Sequence, residues 1–326
     1  MTTSLSDQLV KYLADAHSIE EQALAQLRSA PKFAGSDQIS KLLAAHLSET
    51  EAHEEMVRSR MAELGASPSR VKDVVMAVGG KGFVLFARSQ PDTPGKLATH
   101  AYSYERLEEA SYAMLQHVAE RIGDNVTSDL ARRIGEQEHG MAERLRASFN
   151  ASIAASIEGV GKSDLQDRIT SYLADAHGLE GQAEALLKRA VDMVDDVAIA
   201  EAVTRHLEET RDHAARIERR LDALGASPSK IKDAALRFGG LGWSGFFGAH
   251  PDTPGKLVAF MYAFEHLEIA GYLHLRGVAE RASDMDTVEL AEHIMRQEET
   301  TADFLRGQFE RAADLSLEAQ AAEAPR

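Results

Sequence analysis

Cysteine is absent from this chain of 326 residues, which excludes disulfides and thiolate metal sites and fits a reducing cytoplasm. Proline is scarce, with 8 residues, and aromatics make up only 6%, so few positions interrupt a helix. Basic residues are the minority: 36 Lys and Arg face 52 Asp and Glu, a formal net charge of −16. A surface of that sign argues against a nucleic-acid partner. No apolar run approaches the roughly 18 residues of a membrane span. The opening MTTSLSDQLVKYLADAH lacks a basic segment followed by an apolar core, so no secretory signal is expected. These absences leave a cytoplasmic, helix-rich protein without membrane or nucleic-acid partners.

What is present is a duplication. YLADAH at 12–17 returns at 172–177, LGASPS at 64–69 at 224–229, and VAER at 118–121 at 278–281. QPDTPGKL at 90–97 is echoed by HPDTPGKL at 250–257. Every pair is separated by 160 positions, so two copies of one fold stand in tandem without insertion. The expected units are 1–155 and 161–316, with 317–326 a fraying tail. Periodicity predicts four helices in the first copy, over 6–29, 37–64, 95–122 and 125–153. The breaks after the first and third are short, as antiparallel neighbours need. The second and third are joined by about 30 residues, enough for a long crossover. The expected fold class is all-α, two tandem four-helix bundles. The crossovers contain GGKGFVLFA (79–87) and GGLGWSGFFGAH (239–250), candidates for a lid, a substrate mouth, a dimer patch or packing across the bundle. Asp92 to Gly95 looks like a helix start, with Asp or Thr capping and Pro in the first turn.

The apolar stripes carry carboxylates at their middles. The first helix places Glu20 between Ala16 and Ala23, and the fourth places Glu138 between Ile134 and Met141. The third aligns Glu105, Glu108 and Tyr112, and the second is read as Leu42, His46, Glu49, His53 and Met56. The second copy repeats the set as Glu180, His206, Glu209, His213, Glu265, Glu268, Tyr272 and Glu298. Glu20 and Glu49 lie at nearly equal distances from their hairpin turn, as do Glu108 and Glu138 from theirs, which sets the four at one height. Carboxylates gathered inside a bundle repel and are costly to desolvate unless cations join them. Carboxylate oxygen with some imidazole suits iron or manganese.

The motifs LADAHSIEEQ (13–22), HLSETEAH (46–53), YERLEEASY (104–112), IGEQEHGMAERL (134–145) and FEHLEIAGY (264–272) resemble those of the ferritin-like superfamily, in its YciE/YciF-type stress-protein branch. The likeness covers the four helices of both halves. It implies ferritin-like bundles with a dinuclear iron centre, manganese being the alternative metal. It implies metal ligands Glu20, Glu49, His53, Glu105, Glu108 and Glu138, and in the second half Glu180, Glu209, His213, Glu265, Glu268 and Glu298. His17, His46, Tyr112, His177, His206 and Tyr272 are expected to support the ligands from one layer out, with His46 also a candidate ligand. The wider group carries Glu-x-x-His on both the second and fourth helices. Here the second helix has Glu49 and His53 four apart, and the fourth has Met141 or Thr301 where histidine would stand. Three functions stay open: ferroxidase-like chemistry on Fe²⁺ with O₂ or peroxide in stress protection, a non-enzymatic stress or interaction protein, and an oxygenase for an organic substrate. The expected assembly is a monomer with pseudo-dimeric halves or a homodimer.

Overall fold

The computed structural model describes residues 5–67, 93–194, 196–226 and 254–323. The two Gly-rich segments and Asp92 lie outside them. The described residues form nine α-helices and no strand. The first half contains α1 (Leu5–Leu27), a 3₁₀ turn at Ala30–Phe33, α2 (Asp37–Glu63), α3 (Thr93–Ile122) and α4 (Asn125–Ser156). The second contains α5 (Lys162–Met193), α6 (Val197–Ala223), α7 (Pro254–Ala282), α8 (Met285–Arg306) and α9 (Phe309–Glu323).

Within the first half, α1 packs on α2 and α3, and α4 packs on α3 and α2. That leaves α1 and α4 on one diagonal and α2 and α3 on the other. The second half repeats the arrangement with α5 to α8. Local sequence explains the joints. Asp124 caps α4 by accepting from Thr127 N at 3.1 Å, and Asp284 caps α8 through Thr287 N at 3.2 Å. Arg60 at the end of α2 donates to Thr127 Oγ1 at 2.8 Å and Asp124 Oδ2 at 2.7 Å, tying α2 to the start of α4. Arg220 does the same for α6 and α8, donating to Thr287 and Asp284. Gly35, at φ 66°, is required in its turn, because a Cβ there would stand 2.4 Å from Pro94 Cγ.

The halves differ where the fourth helix runs long. α4 is unbroken, whereas its counterpart stops at Arg306 and restarts at Phe309 as α9. Gly307 occupies the position of Ala147, and glycine is about 1 kcal/mol poorer than alanine inside a helix. Beyond the break, α9 runs to Glu323, with Ser316 and Leu317 buried.

The two halves meet through α3 and α7, with α9 against both, and their apolar core is continuous. The interface is nearly two-fold. Lys256 pairs with Asp15 at 3.0 Å, and Lys96 pairs with Asp175 at the equivalent place. Near the axis Ser103 donates to the carbonyl of Ala263 at 2.7 Å. Exact symmetry fails beside it. Arg106, buried and bonded to Glu109 at 2.7 Å, has His266 as its counterpart, which contacts Tyr102 Oη at 3.1 Å.

Candidate metal centre

Each bundle brings carboxylates and imidazoles together at its middle, buried on all sides. In the first half the cluster is Glu20 from α1, His46 and His53 from α2, Glu105 and Glu108 from α3, and Glu138 from α4. His53 Nδ1 lies 2.6 Å from Glu138 Oε1 and 3.9 Å from Glu20 Oε1. His46 Nε2 lies 3.0 Å from Glu105 Oε2 and 3.5 Å from Glu138 Oε2. Glu138 therefore bridges the two imidazoles. Glu108 is fully buried and neither of its oxygens has a hydrogen-bond partner. Tyr112 donates a short hydrogen bond to Glu20 Oε1.

The second half reproduces this residue for residue. His213 Nδ1 is 2.9 Å from Glu298 Oε1 and 3.5 Å from Glu180 Oε2. His206 Nε2 is 3.1 Å from Glu265 Oε1 and 3.5 Å from Glu298 Oε2. Glu268 repeats the partnerless carboxylate, and Tyr272 donates to Glu180.

Each imidazole presents one nitrogen to the carboxylates and has the other held from outside. His53 Nε2 donates to Gln137 Oε1 at 2.9 Å, and His213 Nε2 to Gln297 Oε1 at 3.0 Å. His46 Nδ1 meets Glu49 Oε2 at 2.9 Å, and His206 Nδ1 meets Glu209 Oε2 at 3.3 Å. This is how metal-binding histidines are usually fixed, with the remote N–H on a carbonyl or carboxylate.

Glu49 and Glu209, expected among the metal ligands, are not part of the clusters. The side chain of Glu49 is 38% exposed and also receives Arg144 at 3.0 Å. The reason is helical phase. The buried stripe of α2 runs Ile39, Leu43, His46, Thr50, His53, Val57 and Met61. Glu49 precedes Thr50 and so points about 100° away from it. The expected stripe through Leu42 and Met56 shares His46 and His53 with the observed one but takes Glu49 where the structure buries Thr50, so Glu49 turns outward and His46 stays in the cluster. His17 and His177, expected beside the ligands, instead face α2 and α6, contacting Glu54 at 3.1 Å and Glu218 at 2.9 Å. Tyr112 and Tyr272 do touch a cluster carboxylate. Gln137, Gln297 and Arg144 were not anticipated; Gln137 and Gln297 could have been found by noting which residue precedes the fourth-helix glutamate.

Without metal, the cluster holds protons. Burial, then the charge of Glu138, pushes the Glu20 carboxyl up to about 8. Burial pushes Glu105 to about 8 against the pull of His46, and pushes Glu108 well above the usual carboxylate range. Burial disfavours charge on His46, but Glu105, Glu49 and Glu138 outweigh it and raise the imidazole to about 11. His213 is raised to about 10 against its burial by Glu180 and Glu298. The bridging carboxylates differ. Burial works against Glu138, yet the hydrogen bond from His53 and the charges of His46 and His53 hold it low. Burial and the charge of Glu265 push Glu298 up to about 7.

The chain belongs to the family described as Domain of unknown function (DUF892), which it matches twice, over residues 4–158 and 164–318. That family has the ferritin-like fold, so the protein is a tandem ferritin-like protein. Among solved structures, the chain is 27% identical to a protein from Xanthomonas campestris pv. campestris, with a TM-score of 0.39, over 48% of this chain and 98% of that one. In each half, buried histidine and glutamate groups could hold a metal ion.

Proposed function

We propose that each half holds a dinuclear centre, of iron or alternatively manganese, and that the protein oxidises Fe²⁺ with O₂ or peroxide as a ferroxidase-like oxidoreductase in stress protection. One observation carries this reading: both imidazoles of each cluster turn a nitrogen toward buried carboxylates, beside a further buried carboxylate, Glu108 or Glu268, with no hydrogen-bond partner, while Gln137 and Glu49, or Gln297 and Glu209, hold the other nitrogen. Such a set is costly for a bundle with no ion to bind. The residues that would hold metal are Glu20, His46, His53, Glu105, Glu108 and Glu138, and Glu180, His206, His213, Glu265, Glu268 and Glu298. Bound there, ferrous iron would supply the electrons that reduce O₂ or peroxide. Glu138 and Glu298, placed between the two imidazoles, would give carboxylate oxygens to the metal. Tyr112 and Tyr272 fix the orientation of Glu20 and Glu180. Protons on Glu20, Glu105 and the histidines must leave as metal enters.

The test is anaerobic loading with Fe²⁺, then exposure to O₂ or peroxide, following ferric absorbance and O₂ uptake. Stoichiometric ferric iron formed faster than in protein-free buffer supports the proposal. A specific feature favours the non-enzymatic alternative: the fourth-helix histidine of the wider group is replaced by buried Met141 and by Thr301. That reading predicts bound Fe²⁺ with no acceleration.

A further inference from the structure

Outside the two centres, His17, Glu21 and Glu54 present ligand atoms all within 4.8 Å of one another. His17 and Glu21 are one turn apart on α1, and Glu54 faces them from α2, with His17 Nε2 3.1 Å from Glu54 Oε1. His17 is buried, at 4% exposure, so its ring is held in place, while the two carboxylates reach solvent. The chain positions matter. Glu21 follows Glu20, and Glu54 follows His53, so two of these three groups adjoin donors of the buried centre in sequence. Successive helical residues differ by about 100°, which puts the outer group around the side of the same α1–α2 pair.

We propose that these three residues form an additional mononuclear divalent-cation site, present in the first half only. Ligand atoms about 2.1 Å from a common ion span at most about 4.2 Å, and these three, all within 4.8 Å of one another, need at most a small side-chain adjustment to meet on one ion. One imidazole and two carboxylates suit a borderline transition ion such as Mn²⁺ or Fe²⁺ over Ca²⁺. The present occupant of the electrostatic role is Arg58, whose Nε is 3.1 Å from Glu54 Oε1. Arg58 is half exposed and also pairs with Glu55, so it can retain a partner when a cation displaces it from Glu54. The second half lacks the site. Gly181 and Ala214 stand where Glu21 and Glu54 do, leaving His177 with Glu218 alone. The outer site shares no donor with the buried centres and is independent of whether they are redox active.

The probe is Mn²⁺, titrated into the full chain with the unbound ion read by electron paramagnetic resonance. Glu21→Gln with Glu54→Gln should bind one ion fewer than wild type; an unchanged count overturns the proposal. Glu138→Ala with Glu298→Ala should abolish binding at the centres and leave the outer ion, so failure of the centre reading is seen separately. Should the first pair of substitutions unfold the protein, Gly181→Glu with Ala214→Glu decides the matter. It should add one Mn²⁺ in the second half, and no gain in that folded variant overturns the proposal.

Discussion

The two halves agree at the centre and part company one layer out. Glu20, His46, His53, Glu105, Glu108, Glu138, Tyr112 and Gln137 all return unchanged 160 positions later. Around them Arg144 becomes Phe304, Met141 becomes Thr301, Glu21 becomes Gly181 and Glu54 becomes Ala214. These changes rewire the supports. Glu49 is shared between His46 and Arg144, whereas Glu209 has no arginine at that position, and His206 gains Thr301 Oγ1 at 3.1 Å. A buried carboxylate–imidazole cluster tolerates little, because removing one partner strands another charge away from water. Arg144, Glu21 and Glu54, which reach solvent, are freer to change. The difference explains why both halves can be expected to bind metal while responding differently to the same substitution.

The largest expected effect comes from cutting the bridge in one half. Glu138→Ala should abolish metal binding in the first half and leave the second intact, so metal per chain falls by about half; Glu298→Ala should give the mirror result. Elemental analysis of the two variants checks it, and cooperative loss from both halves would show that the centres are not independent.

The next effect is pH. Glu20 and Glu105, at about 8, and His46, at about 11, hold protons in the metal-free fold that the unfolded chain would release at lower pH. Their contribution to metal-free stability is therefore fully present at low pH. It declines as pH rises from the ordinary carboxylate range through about 8, and for His46 from about 6.5 toward 11. Metal affinity runs the opposite way and should rise from pH 6 to 9 as fewer protons need displacing. Thermal melts with and without Mn²⁺ across that range should diverge; parallel curves would contradict the protonated cluster.

Much of this was legible in the sequence, for physical reasons. The duplication, the helices and the inner carboxylates on α1, α3 and α4 follow from repeats and from periodicity, because Glu20, Glu108 and Glu138 sit squarely between apolar neighbours. On α2 the pattern was ambiguous. Leu42, Leu43, Met56 and Val57 permit two stripes that share His46 and His53, and only packing chose the one that buries Thr50 and turns Glu49 outward. The burial of Ser316 and Leu317 in α9 depends on its contacts with α7 and α3, which no local pattern reveals.

A smaller effect follows from that choice. Glu49→Gln should weaken metal binding in the first half about tenfold or more by releasing His46. Glu209→Gln should cost less, because Thr301 still supports His206. Mn²⁺ titration of each single variant compares them. The smallest effect concerns the fold alone. Gly123 ends α3 at φ 76°, and Ser283 ends α7 at φ 61°. Ser283→Gly should relieve left-handed strain and stabilise the protein by about 0.5–1 kcal/mol, read by chemical denaturation.

The most direct test of the central claim is the iron content of the intact chain after anaerobic Fe²⁺ loading and removal of loosely held ions. Two dinuclear centres predict about four tightly bound ions per chain, apart from any ion held at His17, Glu21 and Glu54. A chain that retains no iron would contradict the account and leave the buried carboxylates as protonated parts of a metal-free core.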